Sequence, residues 1–195
     1  MKQLALVRPS HSPIAKDEVV LIWGGSSSVG SNAIQLAVAS GYTVVTTASA
    51  RNAEMLKSLG ASAVLDHTSA TVVDDVLEAM KGRRLAGTLH ATGDMAATFA
   101  VVSQSDGVRL VAASLPPSAA LPPGVEARHI AGTSLKDDEV GPMIYRDFLP
   151  KALENGSFVP APPAKIVGHG LEALQDALGV LKAGVSAAKV VVTLA

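Results

Sequence analysis

The residues best suited to chemistry are Gly24-Gly25-Ser26-Ser27-Ser28-Val29-Gly30. They lie between the apolar run Val19 to Trp23 and a segment whose Ala33, Ile34, Ala37 and Val38 recur at helical spacing. A strand that turns through glycine into a helix brings unpaired backbone N–H groups and the positive end of the helix dipole to one point, where phosphate binds. Gly24 and Gly25 permit a sharp turn, Ser26, Ser27 and Ser28 offer hydroxyl donors, and Gly30 lets the helix pack closely on the strand. The spacing departs from the strict G-x-G-x-x-G fingerprint, and no G-x-x-x-x-G-K-[ST] occurs, so a dinucleotide fits better than a nucleoside triphosphate. A solvated Gly/Ser turn that binds nothing is the alternative reading of the same residues.

A second chemical signal lies about 20 residues on, where dinucleotide-binding folds that take NAD place an Asp or Glu on the ribose 2′-hydroxyl. Here Ala48-Ser49-Ala50-Arg51-Asn52 holds that place, with no acid before Glu54. A guanidinium beside a hydroxyl suits a 2′-phosphate, so the stretch favours NADP over NAD and argues against an S-adenosylmethionine site. Ser49 or Asn52 also reads as a helix cap with Arg51 as an exposed charge, and the two roles are compatible. No catalytic residue stands out. Asp74-Asp75 and Asp137-Asp138-Glu139 read as solvated charges in first turns of helices. The five histidines show no ligand spacing and cysteine is absent, so neither a disulfide nor a thiolate metal site is expected.

The elements that must position these residues follow from periodicity. The chain has 195 residues, 48% of them apolar and 17% charged, which suits an α/β domain with a sizeable core. A net charge of −1 leaves no electrostatic footprint for nucleic acid or an anionic membrane. No run is apolar enough to span a bilayer and no signal-peptide core opens the chain, so a cytoplasmic protein acting on a small molecule is expected. Tyr42 to Ala48, Ala63 to Asp66, Leu85 to Thr92, Val108 to Ser114 and Glu126 to Gly132 read as strands after the first. Helices over Ala53 to Leu59, on the face Val72, Val73, Val76, Leu77 and Met80, and on Met95, Phe99 and Val102 alternate with them, which predicts a doubly wound, mainly parallel sheet. Residues 1–18 form a lead-in and 19–154 the nucleotide-binding domain. Residues 155–195 form an appendage: a Pro-rich crossing, a helix with Leu171, Leu174, Leu178 and Leu181 in one stripe, and a last strand over Lys189 to Leu194. That strand is expected to join the main sheet, to pair with another copy, or to await a partner.

Val20-Leu21-Ile22-Trp23-Gly24-Gly25-Ser26-Ser27-Ser28-Val29-Gly30, Thr46-Thr47-Ala48-Ser49, Ser58-Leu59-Gly60-Ala61, Val64-Leu65-Asp66-His67 and the closing Gly184-Val185-Ser186-Ala187-Ala188-Lys189 resemble medium-chain dehydrogenase/reductases. Within that superfamily they are most similar to the zinc-independent fungal branch that includes trans-acting enoyl reductases of polyketide pathways. The resemblance implies a Rossmann sheet and an NADPH-dependent reductase of enoyl or quinone-like substrates, with a nucleotide-binding module without turnover, or an enzyme of non-redox chemistry, as alternatives. It places the pyrophosphate on Gly25 and Ser26 to Val29, and the 2′-phosphate ribose on Ser49, Arg51 and Asn52. His67 stands where the family commonly has a tyrosine beside the adenosine half. Leu115 and Thr133 fall near the nicotinamide or substrate, and Val185 and Ser186 at another cofactor-side position. Full-length relatives begin with a GroES-like domain, so a homodimer or a partner supplying that domain is expected.

Overall fold

Val19 to Trp23 are buried whichever way their side chains point, and the reason is their place in the middle of a sheet. The computed structural model describes residues 2–194. Six parallel strands, β1 (Glu18–Trp23), β2 (Thr43–Ala48), β3 (Ala63–Asp66), β4 (Arg84–His90), β5 (Leu110–Ala113) and β6 (Glu126–His129), stand in the order β3-β2-β1-β4-β5-β6. The order reverses between β1 and β4, which opens a crevice at the carboxyl ends of those strands. This is the doubly wound Rossmann-like α/β fold that the alternation of periods predicts.

Both faces of the sheet are covered. On one, α1 (Ser28–Ala39) and α2 (Ala53–Ser58) pack Ile34, Ala37 and Leu56 against Val20, Ile22 and Val44. On the other, α3 (Val72–Met80) and α4 (Met95–Gln104) pack Val76, Met80, Phe99 and Val102 against Val19, Leu21, Leu85 and Val111. Each such aliphatic side chain contributes about 1.5–3 kcal/mol on burial. Thr88 on β4 is the exception, its buried hydroxyl oxygen lacking a partner among the described residues. The observed β4, β5 and β6 end sooner than the sequence suggests, at His90, Ala113 and His129, where the chain leaves for the crevice.

The lead-in is more engaged than its composition implies. Leu4 is buried against Gly87. Lys2 reaches Asp138 at 3.5 Å and Glu139 at 3.4 Å, and the Asp138 side chain is only 10% exposed. Asp138 is thus half of an ion pair rather than a solvated helix charge, while the Asp137 side chain lies outside what the structure describes. Beyond β6, a π-helical stretch over Pro142–Phe148 runs into α5 (Leu149–Glu154). Phe148, Ala152 and Phe158 pack on Leu36 and Ala39 of α1. Gln35 clamps the returning chain, its amide donating to the Val159 carbonyl at 3.0 Å and accepting from the Val159 N–H at 2.8 Å.

Of the places expected for it, the last strand does not take the one in the main sheet. β8 (Lys189–Thr193) pairs in parallel with β7 (Ala164–His169), and α6 (Leu174–Ala183) connects the two. The partner strand lies within the segment read as a Pro-rich crossing, where Pro160, Pro162 and Pro163 mask the short run Ala164-Lys165-Ile166-Val167.

Candidate functional site

The glycine turn is built by hydrogen bonds that the sequence does not announce. Gly24, at φ 85°, donates its N–H to the Thr47 hydroxyl at 3.0 Å, and Gly25 donates to the Thr47 carbonyl at 2.9 Å. Thr47 is the penultimate residue of β2 and had only its β-propensity to mark it. Ser27 caps α1: its hydroxyl accepts from the Gly30 N–H at 3.0 Å and donates to the Gly24 carbonyl at 2.8 Å. The Ser27 hydroxyl proton is therefore used inside the turn, not offered to a ligand.

What the turn offers outward is its amides. Among the described residues the backbone N–H groups of Ser26, Ser28 and Val29 have no hydrogen-bond partner, and the Ser26 and Ser28 hydroxyls have none either. These groups stand at the N-terminus of a twelve-residue helix, aligned with its dipole. The close approach that delivers them leaves no room for side chains. A Cβ on Gly30 would press on the Gly24 carbonyl oxygen and stand 2.7 Å from the Gly25 Cα, and one on Gly24 would meet Thr92 at 2.7 Å. The turn fits a pyrophosphate both in donors and in space.

The second cluster forms where β2 and β3 end side by side. Ala48 pairs with Asp66, and the His67 N–H donates to the Ala48 carbonyl at 3.2 Å. This places the His67 ring over Ser49, with Nε2 and the hydroxyl oxygen 3.2 Å apart. Arg51 and Asn52 follow in a short 3-10 turn, and both donate to the Ser186 hydroxyl, from Nε at 3.3 Å and from Nδ2 at 3.1 Å. Neither Ser49 nor Asn52 makes a side-chain cap bond to the helix that follows. The terminal guanidinium nitrogens of Arg51 have no partner among the described residues. Ser49, Arg51, Asn52, His67 and Ser186 are thus gathered at one place, with Val185 adjoining.

Leu115 and Thr133 are not part of that gathering. Both are exposed, Leu115 just beyond β5 and Thr133 in a 3-10 turn after β6. Their neighbours Ser114, Gly132 and Ser134 line a cavity of about 640 Å³ on the α1 face of the sheet. Leu4, Leu6, Ile22, Ala33, Leu36 and Leu89 make its wall apolar, and Val29 joins it to the glycine turn. A cavity of this size and lining suits an apolar small molecule.

His90 is buried at the carboxyl end of β4, facing α4, and had no motif to reveal it. Its Nδ1 lies 2.9 Å from the Thr98 hydroxyl, which itself donates to the Asp94 carbonyl at 3.0 Å. The Thr98 proton being used, the ring must donate, which assigns the proton to Nδ1. Burial pushes the His90 imidazole below its ordinary value, against the opposing charge of Asp94. Among the described residues no group of three His, Cys, Asp or Glu side chains converges as a metal site, and no helix is long and apolar enough to cross a membrane.

With this geometry in view, residues 28–136 match the family model described as zinc-binding dehydrogenase. The chain is 46% identical over 199 residues to the dehydrogenase azaJ of Aspergillus niger, covering 98% of this chain and 57% of that protein. It is 40% identical over 193 residues to the trans-enoyl reductase himH of Aspergillus japonicus, covering 97% and 56%. The chain therefore spans little more than half the length of the curated relatives it matches. Among solved structures it resembles the mycobacterial protein Rv1454c complexed with NADPH, with a TM-score of 0.67 and 21% identity over 93% of this chain and 58% of that one, a likeness of fold.

Proposed function

The chain belongs to the zinc-binding dehydrogenase family, within the medium-chain dehydrogenase/reductase superfamily, and from that premise we propose that it is an NADPH-dependent oxidoreductase acting on enoyl or quinone-like substrates. One observation carries the cofactor choice. The end of β2 presents Ser49 and a free-ended Arg51 guanidinium, with His67 of the β3 end beside them, and the β2 end itself carries no carboxylate at the place where a ribose 2′-substituent is recognised. The amides of Ser26, Ser28 and Val29 would hold the pyrophosphate, and Arg51 with Ser49 the 2′-phosphate. The chemistry NADPH supplies when bound is a hydride.

The chain's own residues bind and orient. The α1 N-terminus fixes the middle of the dinucleotide, and the apolar cavity beside Val29 and Ser114 receives the unsaturated substrate with water largely displaced. The proposal includes no zinc, since the chain has no cysteine and the described residues hold no cluster of ligands. The relatives' names support an enoyl substrate, and the exposure of Leu115 and Thr133 favours a second reading, nucleotide binding without turnover.

The cofactor assignment is tested with Arg51→Ala. Loss of the charge-assisted contacts is expected to weaken NADPH binding by about 1.5–3 kcal/mol and leave NADH binding unchanged, as read by fluorescence titration. Equal affinity of the wild-type chain for both cofactors would refute it.

A further inference from the structure

We propose that His67 acts as a proton-dependent ligand of the cofactor's 2′-phosphate, so that the preference for NADPH over NADH strengthens as the imidazole protonates. The proposal rests on the NADPH reading above and adds a regulation of the same site. Its basis is the pairing of β2 with β3, which sets the His67 ring 3.2 Å from the Ser49 hydroxyl at the mouth of the Arg51 cluster.

A hydroxyl has one proton to give. When neutral His67 presents a bare Nε2, that proton is donated to the ring and Ser49 can only accept from other groups. In the imidazolium both ring nitrogens donate, so Nε2–H donates to Ser49 and the hydroxyl proton becomes free for a phosphate oxygen. Protonation thus adds a positive charge and converts Ser49 from an acceptor into a phosphate donor. Arg51 supplies the permanent part of the anion site and His67 the conditional part.

The surrounding charges permit this. Asp66, next in the chain, is held below the usual carboxylate range by the Thr68 N–H and then the Thr68 hydroxyl, and remains an anion that favours the imidazolium. Arg51 opposes it. On α2, Glu54 and Lys57 neutralise one another at 3.0 Å. On α3, Asp75 accepts from the Ser69 and Thr71 hydroxyls, and Asp74 is exposed to solvent. β2 carries no titratable side chain.

A phosphate monoester loses its second proton near pH 6, so the effect is read between pH 8.5 and 6.5 with the phosphate largely dianionic. A tenfold preference of the phosphate-bound state for the protonated ring makes NADPH bind about fivefold tighter at pH 6.5 than at pH 8.5. Calorimetric titrations of the wild-type chain and His67→Gln with NADPH, NADH and 2′,5′-ADP test this; His67 is exposed, so the variant keeps the fold. The expected result is a fivefold tightening for NADPH and 2′,5′-ADP in the wild type alone, with NADH flat. The same tightening in His67→Gln, with NADPH still preferred, overturns the role of His67 and leaves the cofactor reading standing. NADPH binding no tighter than NADH at every pH overturns both.

Discussion

Ser27 and Ser28 are neighbours of one type with different work. Ser27 has the extended backbone of an N-cap, φ −72° and ψ 161°, and its hydroxyl closes the turn on Gly24 and Gly30. Ser28 is the first residue of α1, and its hydroxyl has no partner among the described residues. Ser27→Ala is therefore expected to lower unfolding stability by about 1 kcal/mol, as an N-cap loss does, measured by urea denaturation. Ser28→Ala is expected to leave stability unchanged and to weaken NADPH by about 1.5 kcal/mol, the worth of one bond to a charged oxygen. The reverse pattern would show that the assignments are interchanged. In the sequence the three serines are equivalent, and only the φ, ψ of the turn separates builder from ligand. Thr47 was silent for the same reason: its contribution is a hydroxyl accepting from an amide 23 residues away, which no local spacing encodes.

At the scale of elements, most of the sheet was legible because parallel strands buried on both faces leave unbroken apolar runs, as in Val19 to Trp23. β7 was not legible, since its residues are largely exposed and it follows three prolines within four positions. The joint between β4 and α4 was legible only at Asp94, whose carboxylate accepts from the Ala97 N–H at 3.1 Å as a cap should. The other half of that joint is His90, donating to Thr98 from a buried ring. Its folded-state value is depressed, so between about pH 6.5 and that lower value the unfolded chain binds the proton that the folded chain refuses. The contribution is complete above about pH 7. Stability then falls as pH drops below about 6.5, by at most about 1.4 kcal/mol per pH unit. Urea midpoints at pH 7.5 and 5.5 measure this, and His90→Gln, whatever its overall cost, is expected to show a shallower fall. An unchanged fall in the variant would assign the acid sensitivity elsewhere.

Considered as a whole molecule, the chain carries a complete two-faced sheet and, beside it, a β7–α6–β8 unit with much of its apolar surface in water. Leu171, Leu174, Leu178 and Leu181 form the stripe their spacing predicts, and they are 68%, 47%, 58% and 54% exposed. Periodicity shows that a helix has an apolar face but not what covers it, so the sequence revealed the stripe and not its exposure. An exposed patch of this kind marks an association surface, and a two-stranded sheet gains little stability alone. Leu115 and Thr133, which the family resemblance sets near the nicotinamide or substrate, are exposed as well. Hydride transfer needs donor and acceptor held in near-attack geometry, where a displacement of about 1 Å can cost a hundredfold, and it gains from the exclusion of water. We therefore expect the monomeric chain to bind NADPH yet to reduce a short enoyl thioester or a quinone slowly. Turnover per chain should rise with concentration in step with the associated fraction, followed by light scattering. Leu178→Lys with Leu181→Lys should remain monomeric and slow while NADPH affinity stays the same, because both side chains are more than half exposed and neither is among the groups bonded at the glycine turn or the Arg51 cluster. Fast, concentration-independent turnover by a demonstrated monomer would instead mean that the crevice between β1 and β4, with the cavity beside Val29, already holds both reactants tightly enough for the reaction.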